Sequence, residues 1–330
     1  MLVLSKYPTD WASYPMLKQV YDELLDDKTL LVDTIWTQDP NETRHNIERW
    51  LNQNHHKVVI FNWWDDFGGY NEYCKMYEDH DRVLVLDYKA SWFNICDEKF
   101  IEYSWNDVQP KSFEHLFLCY QGKWKYNREA MYEMLHEWNK NCDRKGIVTL
   151  QGKQSYIENI PKHEGDASID NNPNPTNSNY YPNDIYSLGD MDIWNNHFLN
   201  IVTETLEEPS GLTWITEKTL KPIIGSRPFV IYGDEKIYNQ LNTFGIETFE
   251  TELNFPVPEI LDDKIPYWHW QKRSIRLGLK NLLDADLQNI YQKCLPKLEH
   301  NFYAWRKVAK DQYVSMIDKV SAFKSLSQVS

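Results

Sequence analysis

The sequence has few cysteines, and none of them stand close together. Five cysteines occur in 330 residues, an odd number, and neither a C-x-x-C pair nor an H-E-x-x-H string is present. Close Cys and His pairs are the usual ligands of structural zinc, and a disulfide framework uses an even set of cysteines. We therefore predict reduced thiols and no metal site. The five residues are Cys74, Cys96, Cys119, Cys142 and Cys294.

Long apolar runs are also missing. The first ten residues, MLVLSKYPTD, contain only a four-residue apolar stretch and no basic segment ahead of it. No apolar run approaches the roughly 20 residues that a membrane-spanning helix requires. These absences predict a cytoplasmic protein without a membrane span.

Positive charge is in short supply. Lys and Arg number 35 against 49 Asp and Glu, which gives a formal net charge of −14 and a pI near 5.2. Binding a nucleic-acid backbone requires a basic face that releases counterions, so a nucleic-acid partner is disfavoured. A small cationic pocket for a diphosphate is compatible with this charge balance.

Aromatic residues, by contrast, are abundant. The 14 Trp and 21 Tyr exceed what a core of this size needs. Because flat rings stack on sugars and bases, we expect some of them to line a cleft. For any single ring, the other interpretation is that it covers a helix or strand or contacts a partner.

Strand-like and helix-like segments alternate along most of the chain. The clearest strand patterns are KVVIFNW at 57–63, RVLVLD at 82–87 and PFVIY at 228–232, and we predict a further strand at 246–249. Strands separated by helix-sized segments are typical of parallel sheets. The fold class is therefore predicted to be α/β.

The alternation restarts near residue 113, which predicts two Rossmann-like domains. The first covers 1–112 and the second covers 113–285, and helices at 286–330 finish the chain. The stretch 160–184 is rich in Asn, Pro and Ser and exceeds the usual connection length. We interpret it as a long loop inserted in the second domain.

The segment around residue 216 carries the most chemistry. Thr216 is a good N-cap, Glu217 and Lys218 follow in a first helical turn, and Gly225 is predicted as the C′ glycine. A helix start attracts anions, so Lys218 suits a phosphate, while Glu217 can accept hydrogen bonds from two ribose hydroxyls. The alternative interpretation is an ordinary cap with a dipole-matched Glu.

Two other charged features lie near this segment. Asp190-Met191-Asp192 has the spacing of a D-x-D metal motif, but it precedes a predicted helix, so we predict a helix cap there. Arg227 could approach a phosphate.

The same segment resembles the donor-binding motif of the α1,3-fucosyltransferase-like glycosyltransferases. The earlier string FLCYQGKWKYNREAMYEML is similar to that family's strand, turn and helix, with Lys125 and Arg128 at the basic positions. Together the similarities cover roughly residues 115 to 250, and comparable strings occur in poorly characterised glycosyltransferase-like proteins, many of them viral. The matching positions in the later string are Phe198, Glu204, Trp214, Ile215, Thr216, Glu217, Lys218, Gly225, Pro228, Val230 and Gly233.

This resemblance implies a GT-B architecture, in which two Rossmann-like domains face a cleft and the C-terminal one holds the donor. It implies that Glu217 holds the ribose, and that Lys218 and Arg128 neutralise the diphosphate leaving group. It further implies catalysis without a metal or other cofactor, because cationic side chains and helix dipoles stabilise the departing charge.

The sequence departs from the family at two places. Thr205 stands where the family has Asn after its Glu, which leaves the transferred sugar open. Lys221-Pro222 falls inside the helix that starts at Glu217, and a proline there is expected to kink it.

An inverting transferase needs a general base near the acceptor hydroxyl. Asp65 and Asp66 directly follow the strand at 57–63 and are the candidates, although a cap or a solvated surface explains either one alone. Asp33 and Asp87 follow other strands and are weaker candidates.

The sequence therefore predicts an inverting glycosyltransferase that moves a sugar from a nucleotide-sugar, with a GDP-sugar favoured, to a hydroxyl acceptor such as a glycan. Two alternatives stay open: a non-catalytic nucleotide- or glycan-binding module of the same fold, and a sugar-nucleotide epimerase or hydrolase.

Overall fold

The structure is a computed structural model of the 330-residue chain. The residues it describes are 2–4, 29–33, 40–53, 56–62, 75–87, 103–121, 125–150, 188–204, 215–233, 236–259, 261 and 267–326.

The chain divides into two compact units. The first comprises 1–98, 207–212 and 306–330, and the second comprises 99–206 and 213–305. Each unit contains a four-stranded sheet in which all strands are parallel. The predicted α/β class is confirmed, and the two sheets are consistent with two Rossmann-like units.

The first unit is built on strands that follow one another in sequence. Their order in the sheet is β1-β2-β3-β4, and helix α1 connects β2 to β3. The elements are β1 (Leu2–Leu4), β2 (Thr29–Asp33), α1 (Pro40–Leu51), β3 (Lys57–Asn62) and β4 (Val83–Asp87).

The core of the first unit forms where α1 meets the sheet. Ile47 and Leu51 lie one helical turn apart, so they share one face of α1. They belong to one buried apolar cluster with alternate residues of β2 and β3. The strand residues between them are also buried, as is usual in parallel sheets covered on both faces. The strand members of the cluster are Leu30, Val32, Val58, Ile60 and Val83.

The second unit contains the remaining strands and most of the helices. Its sheet has the order β6-β5-β7-β8. The elements are β5 (His115–Cys119), α2 (Tyr126–Asn141), β6 (Ile147–Val148), α3 (Met191–Asn195), β7 (His197–Thr203), α4 (Glu217–Ile224), β8 (Phe229–Tyr232), α5 (Lys236–Thr243), α6 (Glu250–Leu253), α7 (Tyr267–Asn281) and α8 (Leu287–Leu326), the last of which continues into the first unit.

The order of this second sheet reverses in the middle. From β5 the chain passes through α2 to β6 on one side, and from β7 it passes through α4 to β8 on the other. The neighbouring strands β5 and β7 therefore flank a topological switch point. In open parallel sheets, the crevice beyond the carboxyl ends of two such strands is the usual ligand site.

The last helix is divided between the two units. We predicted helices over 286–330; α8 spans Leu287–Leu326, and 306–330 are part of the first unit. Met316 and Val320 of α8 are buried there, and the Lys57 ammonium lies 5.6 Å from the Phe323 ring centroid. Apolar burial between segments far apart in sequence leaves no local signal at the boundary.

The predicted strand at 246–249 is wrong. Glu247 bonds to a side chain of α8 instead of to a neighbouring strand: its N–H donates to Asn301 Oδ1 (2.8 Å), and its carbonyl accepts from Asn301 Nδ2 (2.7 Å). The Asn301 amide thus takes the place that a strand partner would have. Ile246 and Phe249 are nevertheless buried, which explains the strand-like apolar pattern.

Among the described helices, none combines the length and the apolar character that crossing a membrane would require.

Candidate functional site

The start of α4 is fixed by a side-chain cap. Thr216 has an extended backbone, and its Oγ1 accepts a hydrogen bond from the Lys218 N–H at 3.3 Å. The Thr216 carbonyl accepts from the N–H groups of Thr219 and Leu220, which begins the helix. The predicted N-cap is confirmed.

Gly225 ends α4, as predicted, but for a different reason. It is the C-cap with φ −89°, so it does not need the left-handed conformation of a C′ glycine. A Cβ atom at Gly225 would lie 2.2 Å from the Trp194 ring, and Trp194 Nε1 donates to the Gly225 carbonyl at 3.0 Å. The close approach of this ring requires glycine here. Pro222 lies inside α4 without ending it.

Glu204 anchors the start of α4 to the sheet. It directly follows β7 and is fully buried. Its Oε1 accepts from the Thr216 N–H (3.0 Å) and the Thr219 hydroxyl (2.6 Å), and its Oε2 accepts from the Thr216 hydroxyl (2.7 Å). Both carboxylate oxygens are engaged by the helix. The predicted donor-binding residue therefore positions α4 at the carboxyl end of β7.

Lys218 is held by the polar groups beside it. Its Nζ lies 2.9 Å from Glu217 Oε1, 2.9 Å from Thr216 Oγ1 and 3.9 Å from Glu204 Oε2. Its side chain keeps 21% of its surface exposed. An ammonium group has three donor hydrogens, and the two short contacts use two of them. The third can bind a further acceptor without breaking the existing contacts.

Glu217 is a buried carboxylate in a cationic setting. Burial by itself raises the pKa of Glu217, but Lys218 and Lys221, with a hydrogen bond from Thr216, outweigh burial and lower the pKa below 4.5. Glu217 is therefore ionised at neutral pH and accepts hydrogen bonds, as contact with ribose hydroxyls would require.

Arg128, on helix α2, interacts electrostatically with the same carboxylates. It lies in the first turn of α2 and is 4% exposed. Burial lowers the pKa of Arg128, while the charges of Glu217 and Glu204 oppose that shift, which places the guanidinium within their electrostatic range. The structure thus brings together predicted residues that are far apart in sequence.

Lys125 stands immediately ahead of α2. It is the N-cap residue, its backbone is extended, and its carbonyl accepts from the Glu129 N–H at 2.9 Å. Its side chain is half-buried. The helices α2 and α4 therefore begin beside the carboxyl ends of adjacent strands, and each has a cation within its first turn.

Two contributors to this site were missed from the sequence. Thr219 binds Glu204, and the charge of Lys221 acts on Glu217. Helical spacing could have found both, because Thr219 lies three residues after Thr216 and Lys221 four residues after Glu217.

Arg227 does not serve the phosphate role considered for it. Its guanidinium is fully buried and donates to the carbonyls of Val108 (2.8 Å), Gly225 (3.0 Å), Ser226 (2.9 Å) and Trp194 (2.7 Å). These carbonyls include those at the ends of α3 and α4, where a positive charge is favoured. Arg227 is a structural residue.

The predicted cap at Asp190 is confirmed. Its Oδ1 accepts from the Asp192 N–H at 2.9 Å, at the start of α3. Across the described residues, no group of three or more His, Cys, Asp or Glu side chains is arranged to hold a metal ion.

The candidate general bases are not tested by the structure. The described residues do not include Asp65 or Asp66. They also do not include Thr205, which stands where the family has Asn. The backbone of Asp33 ends β2 and that of Asp87 ends β4, at the carboxyl edge of the first sheet.

Comparisons of the chain with protein-family models, with curated proteins and with solved structures found no match. The resemblance to the fucosyltransferase-like enzymes therefore depends on the motif residues alone.

Proposed function

We propose that this protein is a glycosyltransferase that binds a nucleotide-sugar donor at the carboxyl edge of the second sheet. The observation that supports this most is the pair of helix starts beside the switch point, α2 with Arg128 and α4 with Lys218. Each helix start presents the positive end of a helix dipole. Two such ends and two cations suit a diphosphate.

The local charge supports the same ligand even though the whole chain is acidic. Three cations, Arg128, Lys218 and Lys221, act on the two buried carboxylates Glu204 and Glu217. Among these described side chains, the positive charges outnumber the negative ones by one. An incoming anion therefore meets a locally positive site.

The proposed reaction transfers a sugar by direct displacement. A general base takes the proton of the acceptor hydroxyl, the oxygen attacks the anomeric carbon, and the bond from that carbon to the diphosphate oxygen breaks. The negative charge that develops on the diphosphate is stabilised by Arg128, Lys218 and the two helix starts. In this proposal Glu217 holds the ribose, and Asp65 or Asp66 is the base. The donor is a GDP-sugar in the favoured case, and the acceptor is a glycan hydroxyl.

The first test is ligand binding. A thermal-shift screen with GDP, UDP, ADP and CMP should raise the melting temperature for at least one nucleotide, because a ligand at 100 times its Kd stabilises the folded state by about 2.7 kcal/mol. Lys218→Ala and Arg128→Lys should reduce that shift. Lys293→Ala removes an exposed cation from α8 and is the matched control. If Lys218→Ala and Arg128→Lys keep the full shift, the proposed donor site is wrong.

The second test is turnover. Wild-type protein is incubated with a panel of nucleotide-sugars and glycan acceptors, and products are identified by mass spectrometry. Transfer that collapses in Lys218→Ala supports the enzyme. Nucleotide binding without turnover identifies the binding module instead, and an altered or hydrolysed donor identifies the epimerase or hydrolase.

A further inference from the structure

Asn127 occupies an unusual position at the start of α2. It is the second residue of that helix and is 7% exposed. Its side-chain Nδ2 is buried and has no hydrogen-bond partner among the described residues. Buried amide donors are nearly always paired, since leaving one unpaired costs free energy.

Another buried asparagine of the same helix, Asn139, has a fully hydrogen-bonded side-chain amide, in contrast to Asn127. Asn139 is fully buried, donates from Nδ2 to the Gly146 carbonyl at 2.7 Å and accepts from the Gly146 N–H at 2.9 Å. Asn139 thus pairs both ends of its amide. The unpaired donor of Asn127 stands at the end of α2 that lies beside the switch point.

The start of α2 also favours an anion. The first intrahelical bond runs from the Glu129 N–H to the Lys125 carbonyl, so the positive end of the helix dipole lies at Asn127 and its neighbours. The Arg128 guanidinium adds a positive charge in the same turn. The Asn127 amide donor, this charge and the dipole together suit an anion with several oxygens.

We propose that the Asn127 side-chain amide binds a phosphate oxygen of the ligand, at a phosphate subsite formed by the first turn of α2. The ligand is a nucleoside diphosphate or its sugar, and to that extent this inference rests on the proposed function. The phosphate contact itself depends only on the anion. Asn127 is therefore a binding residue that contributes a neutral donor beside the charged Arg128.

The test measures anion binding and stability in the same variants. Isothermal titration calorimetry with pyrophosphate, GDP and UDP is applied to wild type, Asn127→Ala, Asn127→Leu and Asn127→Asp. Loss of one hydrogen bond to a charged group predicts about 10-fold weaker binding or more for the Ala and Leu variants. The Asp variant should bind more weakly still, because its carboxylate repels the phosphate. Asn141→Ala, exposed at the other end of α2, is the matched control.

Stability separates a ligand contact from a structural role. Because the Asn127 amide donor has no described partner, Asn127→Ala and Asn127→Leu should leave the melting temperature without ligand unchanged or higher. Only the shift on adding pyrophosphate or nucleotide should shrink.

The outcomes distinguish this inference from the proposed function. Nucleotide binding that does not change in the Asn127 variants overturns the inference and leaves the proposed function standing. Pyrophosphate binding that depends on Asn127, without any nucleotide binding, supports the inference and overturns the proposed function. If wild-type protein binds none of the three probes, or if the variants lose stability without ligand in proportion to their lost affinity, Asn127 is not a phosphate ligand.

Discussion

Glu204 holds the start of α4 in place, and its neutral substitution is the sharpest test of the site's geometry. Glu204→Gln keeps the shape of the side chain but removes its charge and turns one acceptor into a donor. In the wild type, Glu204 Oε2 accepts a hydrogen bond from Thr216 Oγ1. The same Oγ1 already accepts hydrogen bonds from the Lys218 N–H and ammonium groups. The variant amide therefore faces a crowded hydroxyl, and Lys218 loses part of its countercharge.

The expected loss in the free energy of unfolding follows from the hydrogen bonds that Glu204 accepts. Its fully buried carboxylate accepts three of them. Such bonds contribute about 1.5–3 kcal/mol each, but neighbouring bonds are not additive. We expect Glu204→Gln to lower the free energy of unfolding by about 2–3 kcal/mol. Thr219→Val, which removes one of the three, should lower it by about 1.5 kcal/mol.

The assay is chemical denaturation of both single variants and of the double variant, followed by circular dichroism. The two residues share a bond of 2.6 Å, so the double variant should lose less than the sum of the single losses. Glu259→Gln neutralises an exposed carboxylate of the same unit and serves as the control. A loss below about 0.5 kcal/mol for Glu204→Gln, or strictly additive losses, would refute the anchoring role of Glu204.

Two further predictions concern the buried surroundings of the site. Burial and the charge of Arg227 lower the pKa of His197 from 6.5 to about 3. As the pH falls below 6.5, His197 therefore binds a proton in the unfolded chain but stays neutral in the folded chain. The free energy of unfolding should therefore decrease by about 1.4 kcal/mol per pH unit between pH 6.5 and about pH 3, and His197→Gln should lack this pH dependence. If wild type and His197→Gln lose the same free energy of unfolding between pH 7 and pH 5, the assignment is wrong. Gly225→Ala places a methyl group against the buried Trp194 ring and should cost about 1–3 kcal/mol in the same denaturation assay, whereas an unchanged midpoint would show that the ring can move aside.

The helix beginning at Glu217 was predictable because its signals are local. A threonine cap and a terminal glycine lie within a few residues of the backbone groups they affect. The function of that glycine was not predictable, since Gly225 is fixed by a tryptophan 31 positions earlier in the sequence. The structural role of Arg227 was not predictable for the same reason, because its carbonyl partners Val108 and Trp194 come from distant segments.

The sequence by itself determined the strands at 57–62, 83–87 and 229–232 and the helix start at Thr216, because these depend on neighbours along the chain. Only the tertiary structure decided that β5 lies beside β7, so that Arg128 reaches the range of Glu204 and Glu217. The order of parallel strands is set by how separate helices pack on the sheet, and no short stretch of sequence encodes it. For the same reason only the fold shows that Asn127 is buried with an unpaired donor, while a similar asparagine further along its helix is satisfied.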